Sequence, residues 1–151
     1  MNNRLKMIKY LILVFLIQSC ISTRVSTTVE VVDHSQNWVI DGKNEVRFDD
    51  DYGIHYTISE SKWIQHPQNT YHIILWNFDE NYLLAQNDCT NVDDKNLYTR
   101  IDFMNFEGMK PYTWGFCLTE YAVESIDGLL MLTGPDRDNP RTGCNGYPFS
   151  R

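Results

Sequence analysis

The sequence predicts an all-β, mainly antiparallel domain, either a β-sandwich or a small β-barrel, carrying one short C-terminal helix. Three observations point there. Stretches of alternating apolar and polar residues recur along the chain, the period of half-buried strands. Clusters of Asp, Asn, Gly and Pro separate them at hairpin spacing. The alternation gives way to a helical pattern at a single place, residues 125–132. No Pro- or Ser-rich linker divides the body, so residues 29–151 read as one domain.

Taken in order, residues 29–32 and 38–40 are the first strand candidates. Asp41-Gly42-Lys43-Asn44 favours a tight hairpin turn, because Asp-Gly tolerates the positive φ such turns need. Residues 45–48 return, and Asp49-Asp50-Asp51-Tyr52-Gly53 turns the chain again. Ile54, Tyr56 and Ile58 then alternate with His55, Thr57 and Ser59. A strand over 62–65 leads to the turn His66-Pro67-Gln68-Asn69. Residues 71–76 are apolar on both faces after His72, as expected of a central strand covered on both sides. Phe78-Asp79-Glu80-Asn81 turns into a strand over 82–86, and 87–96 is a polar loop. Leu97, Thr99, Ile101 and Phe103 share one face of the next strand, with Tyr98, Arg100 and Asp102 on the other. After a turn over 105–111, Tyr112, Trp114, Phe116 and Leu118 lie opposite Thr113, Gly115 and Cys117. Ser125 suits a helix N-cap and Asp127 the first turn, with Leu129, Leu130 and Leu132 to pack the helix on the sheet. Residues 134–147 form a long loop with three glycines and two prolines.

The start of the chain has a separate character. Arg4, Lys6 and Lys9 precede an unbroken apolar run over residues 10–17, and the sequence turns polar after Gln18-Ser19-Cys20. This is the layout of a secretory signal over 1–19; the run falls short of the roughly 20 residues a membrane span needs. The leader holds three of the 13 basic residues and none of the 20 acidic ones, leaving the remainder with a net charge of −10. Such a surface repels phosphate backbones, so nucleic acid is not an expected partner.

Export permits disulfides. With Cys20 set aside, Cys89, Cys117 and Cys144 allow one bridge within the chain and leave one thiol over. Cys117 with Cys144 is the preferred pair, although spacing leaves Cys89 able to replace either partner. With the aromatic face of its strand inside, Cys117 points outward. A tail stapled to it would cross the outer face, and closing that loop contributes roughly 3.5 kcal/mol.

Candidate chemistry is sparse. His34, His55, His66 and His72 have no spacing that forces convergence, and no Cys-x-x-Cys or Cys/His cluster appears, so no metal site and no cofactor are expected. Asp49-Asp50-Asp51 and Asp136-Arg137-Asp138-Asn139 offer oxygen ligands but read as solvated turns, the second lacking the glycine of an EF-hand loop. No nucleophile elbow or phosphate loop is present. Glu45, Glu60, Asp102 and Glu120 are the carboxylates available to a sugar hydrolase. Trp38, Trp63, Trp76 and Trp114 are candidate ligand-contact aromatics for a glycan, a protein or an apolar ligand, set against the plainer expectation that they fill the core.

Two resemblances add to this. Leu16-Ile17-Gln18-Ser19-Cys20 resembles the lipobox of bacterial lipoproteins, with Gln18 departing from the small residue usual there. The resemblance implies cleavage before Cys20, acyl chains on that cysteine, a spacer over 20–28, and residence in the cell envelope on a bacterial membrane, the outer rather than the inner. Several acyl chains anchor firmly, because each buried methylene contributes about 0.8 kcal/mol. In the body, Gln86-Asn87, Arg100-Ile101-Asp102-Phe103, Phe116-Cys117, Asp136-Arg137 and residues 143–150 (Gly-Cys-Asn-Gly-Tyr-Pro-Phe-Ser) resemble a pattern of uncharacterised secreted bacterial proteins. That resemblance implies pairing of Cys117 with Cys144, leaves Cys89 as an extra, and carries no catalytic residue. The functional expectation is a lipid-anchored envelope protein with a non-catalytic binding or structural β-domain. The alternative is an envelope hydrolase using paired carboxylates in an aromatic cleft.

Overall fold

The computed structural model describes residues 45–151. The lipobox, the spacer, Trp38 and His34 lie outside the described residues. Seven strands follow one another as an antiparallel meander: β1 Val46–Asp49, β2 His55–Ile58, β3 Lys62–Gln65, β4 Asn69–Asn77, β5 Tyr82–Asn87, β6 Tyr98–Asn105 and β7 Trp114–Val123. The helix α1, Ile126–Leu130, comes last. The sheet curls into a half-barrel. Of the two architectures left open by the sequence, the sandwich is set aside, since the described strands form a single sheet.

Curling has a visible cause in the inner face. Phe48, Tyr56, Ile58, Trp63, Tyr71, Leu83, Ala85, Ile101, Phe103 and Phe116 form one cluster there. Phe48 on β1 meets Trp114 on β7 at 4.9 Å and Phe116 at 6.0 Å between ring centres, so the two end strands face each other across the interior. The C-terminus then bridges them. Ser150 exchanges both backbone hydrogen bonds with Phe116. The Arg151 carbonyl accepts the Asp51 N–H at 2.7 Å, and the Arg151 guanidinium pairs with the Asp51 carboxylate at 2.9 Å. Gly115 permits this approach, because a Cβ there would collide with the Phe106 ring and the Ser150 carbonyl.

β4 is central in order, as expected, yet most of it is only half-buried; β5 and β6 are the most deeply covered strands. A register shift between Ile73 and Leu75 explains the apolar run of β4. A bulge reverses the side-chain parity of a strand. Ile73 and Trp76 thus both pack on the inner cluster, while Leu75 packs on the outer one.

That outer cluster joins Tyr82, Leu84 and Leu129, with Tyr98, Val123, Ile126 and Leu132 around them. Here α1 docks. Ser125 caps it as expected, its hydroxyl accepting the Gly128 N–H at 3.1 Å, while Leu130 is exposed rather than packed. β7 runs five residues beyond the Leu118 at which the sequence pattern stops, reaching Val123.

The Cys117–Cys144 disulfide is present and lies on the outer face, with Cα atoms 5.5 Å apart. Cys89 is not a free thiol, against the expectation of one left over among the described residues. No helix among the described residues is long and apolar enough to cross a membrane.

Candidate functional site: a polar cleft at one end of the curled sheet

The inner cluster ends at Tyr71 and Leu118. Beyond them the same end of the sheet becomes polar, and a cleft of about 290 Å³ opens between Gln65, Asn69, Tyr71, Asn87, Asn91, Asp93, Asp94, Leu118 and Tyr121. Strand register builds its floor. Tyr71 pairs with Asn87, and Gln65 with Asn69, placing an amide from each hairpin around the phenol.

Two of the amides are already committed to the protein. Asn87 is buried; its side-chain N–H groups donate to the carbonyls of Asp94 and Tyr121 at 2.8 Å each, and its oxygen accepts the Thr99 hydroxyl. Asn91 is buried as well, accepting the Thr70 N–H at 2.8 Å and donating to the Thr70 carbonyl at 3.0 Å. Together they pin the 87–96 loop against β4 and β7, which holds the cleft in shape. A saturated amide of this kind is a scaffold and has little left for a ligand.

The remaining groups are available. Gln65 accepts only long contacts, 3.5 Å from both the Tyr71 hydroxyl and Asn69. The carboxylates of Asp93 and Asp94 carry no hydrogen bond or ion pair among the described residues. The Tyr71 hydroxyl is pushed up to about 12, first by burial and then by the charge of Asp94, so it remains a donor across the physiological range. Tyr121 is half-exposed at the rim. The cleft therefore presents acceptors, amides and two phenol rings, a set suited to hydroxyl-bearing or cationic ligands and poorly suited to an apolar one.

The candidates from sequence are scattered. Trp63 is 1 % exposed and sits inside the aromatic core, its indole N–H without a hydrogen-bond partner. Trp76 stacks on Phe78 at 5.4 Å and donates to the Glu60 carbonyl at 2.9 Å. Trp114 packs against Phe48 and Phe116. None of these three lines the cleft. The four carboxylates proposed for sugar hydrolysis do not converge. Asp102 is wholly buried against Arg100, Arg137 and Thr119, Glu45 pairs with Arg47 in solvent, and Glu120 accepts the Tyr121 N–H. The three consecutive aspartates also part company. Asp49 bonds His55. Asp50 is buried and accepts the N–H groups of Tyr52 and Ile54 together with the Tyr56 hydroxyl, and Asp51 holds Arg151. Burial and the Asp50 carboxylate raise the Tyr56 hydroxyl above its usual range.

The cleft residues carry little signal in the local sequence. The density of amides and acids over 87–96 was the available signal, but Gln65, Asn69, Tyr71 and Tyr121 are brought to it only by strand register. No family model, no curated protein and no solved structure matches this chain.

Proposed function

We propose that the chain is a lipid-anchored cell-envelope protein whose β-domain is a non-catalytic binding module, gripping a glycan in the cleft at Gln65, Asn69, Asp93 and Asp94. The cleft carries this reading. Carboxylate and amide oxygens accept from sugar hydroxyls, the Gln65 and Asn69 amides and the Tyr71 hydroxyl donate, and the Tyr121 ring offers an apolar face. A negatively charged body disfavours anionic polymers such as nucleic acid, and a neutral or amino sugar fits better. The scattered acids support a binding role over hydrolysis, which needs two carboxyl groups facing one bond. The basic-apolar leader ending at Cys20 supports the anchor.

Two measurements on the native protein test the parts separately. Binding to a panel of bacterial and host glycans is expected to be saturable, with Asp94→Asn and Tyr121→Ala each weakening it at least tenfold. No saturable binding, or binding indifferent to both changes, sinks the glycan reading. Mass spectrometry is expected to find acyl chains on an amino-terminal Cys20. One sulfur cannot hold both a lipid thioether and a disulfide, so a Cys20–Cys89 bridge in the native chain overturns the anchor.

A further inference from the structure

Asp49 on β1, His55 on β2 and His66, the first residue past the end of β3, stand in one row. Register pairs Asp49 with His55, and Tyr56 with Gln65. The next pair outward sets His66 opposite His55, whose carbonyl accepts the His66 N–H at 2.8 Å. Residues directly opposite across antiparallel strands project to the same face. This is the outer face, since the neighbouring Tyr56 belongs to the inner cluster. The side chains of His55 and Asp49 are 53 % and 68 % exposed.

The two imidazole centres are 5.1 Å apart, with their planes 41° from parallel. Each ring is held by one nitrogen. Nδ1 of His55 meets the Asp49 carboxylate, and Nε2 of His66 meets the Thr57 hydroxyl at 2.9 Å. We propose that His55 and His66 form a two-histidine site for a divalent transition metal of the zinc and copper class. His55 binds through Nε2 and His66 through Nδ1, while Asp49 and Thr57 steady the rings from behind.

The spacing fits the chemistry. With metal–nitrogen bonds of about 2.0–2.1 Å, two imidazoles on one tetrahedral ion have ring centres roughly 5 Å apart. A carboxylate behind a ligating histidine fixes its tautomer and makes the other nitrogen more basic, the common arrangement at metal sites. Imidazole donors select zinc, copper and nickel over calcium and magnesium. No group of three histidine, cysteine or acidic side chains converges on a metal position among the described residues. Water therefore completes the shell, and the site captures and releases metal at the surface; a buried structural centre would use four protein ligands. It faces away from the cleft, and its failure leaves the glycan reading untouched.

The test is titration of the full, untagged protein with zinc(II) by equilibrium dialysis, and with copper(II) by electron paramagnetic resonance. One equivalent of zinc is expected to bind, with His55→Ala and His66→Ala each weakening it at least tenfold. Asp49→Asn, a positioning change, is expected to weaken binding by a smaller factor than either histidine change. His72→Ala is expected to leave binding unchanged, as His72 is held by Asp88 elsewhere on the sheet. Copper bound to the unaltered protein is expected to show two imidazole nitrogens, a readout that needs no variant to fold. Absence of saturable binding, a copper signal with fewer than two imidazoles, or an equal loss on changing His72 overturns the proposal.

Discussion

The two faces of β5 and β6 are both buried, and they are buried by opposite means. Inside, Leu83, Ala85, Ile101 and Phe103 meet other apolar side chains, and shape complementarity is all the packing requires. Outside, the same strands present Arg100 and Asp102 beneath a lid of chain. Asp102 is 0 % exposed. It takes Nε and Nη2 of Arg100 at 2.8 and 2.9 Å, Nη2 of Arg137 at 2.7 Å, and the Thr119 hydroxyl. Arg100 stacks over the Tyr82 ring at 4.2 Å and donates to the Leu132 carbonyl. Arg137 donates to the carbonyls of Glu80, Asn81 and Phe103. Asn145 holds the Thr119 carbonyl, and Cys144 is bonded to Cys117. The inner face is a core built from strands; the outer face is a tail strapped down by charge and sulfur. The contrast shows that polar residues on a strand do not mark the solvent side when a later segment brings their partners.

The contrast is broken most directly by unequal truncations. Asp102→Ala leaves two guanidiniums facing an uncompensated void and is expected to cost about 3–5 kcal/mol in chemical denaturation. Phe116→Ala on the inner face is expected to cost about the same, for the different reason of a cavity. The conservative partners separate them. Phe116→Leu should recover most of the loss, whereas Asp102→Asn should recover little, because the amide cannot neutralise the buried cations. Equal recovery at both sites would remove the distinction between the faces.

Next in size is the staple. Cys117→Ser with Cys144→Ser, or reduction, is expected to lower stability by roughly 3.5 kcal/mol through loop entropy. The Asp136 and Phe149 amides should also lose protection from hydrogen exchange before the inner strands do. A uniform loss across both faces would show that the tail is not a separate unit.

The smallest effect concerns acid. Asp88 accepts the hydroxyl and N–H of Thr90 and bonds His72, and these interactions hold its carboxyl near 2, below the ordinary range. A carboxyl depressed on folding stabilises above its unfolded pKa and loses that contribution as pH falls through the folded one. Stability between pH 4 and 2 should therefore drop by on the order of 1 kcal/mol from this group, and Asp88→Asn should flatten that limb. An unchanged acid limb in the variant would remove Asp88 from the account.

The motif residues between 86 and 150 have physical roles in the same contrast. Asn87 ties a loop to two strands, Arg100, Asp102 and Arg137 form the buried charge network, Cys117 and Cys144 make the staple, and Phe149 is fully buried where the tail turns under. Gly143 has its carbonyl on the Asp136 N–H, and a Cβ there would run into the Asp136 carbonyl. Arg100, Asp102, Arg137, the two cysteines, Gly143 and Phe149 serve the attachment of the tail, while Gln86 and Asn87 hold the 87–96 loop. The cleft, where ligand chemistry is concentrated, draws on Asn87 alone among these motif residues.

Local sequence determined what depends on neighbours in the chain. Alternation places Ile54, Tyr56 and Ile58, turn chemistry sets the hairpins, a serine cap starts the helix, and the parity of Cys117 against Phe116 sends the staple to the outer face. Tertiary structure alone decided what depends on distant segments meeting. Those are the curl that brings Phe48 to Trp114, the burial of Asp102 beneath residues 132–145, the cleft assembled from three hairpins, and the row of Asp49, His55 and His66. The physical reason is that backbone period is encoded every two residues, whereas the partner of a charge or an amide is encoded only once the chain has folded back upon it.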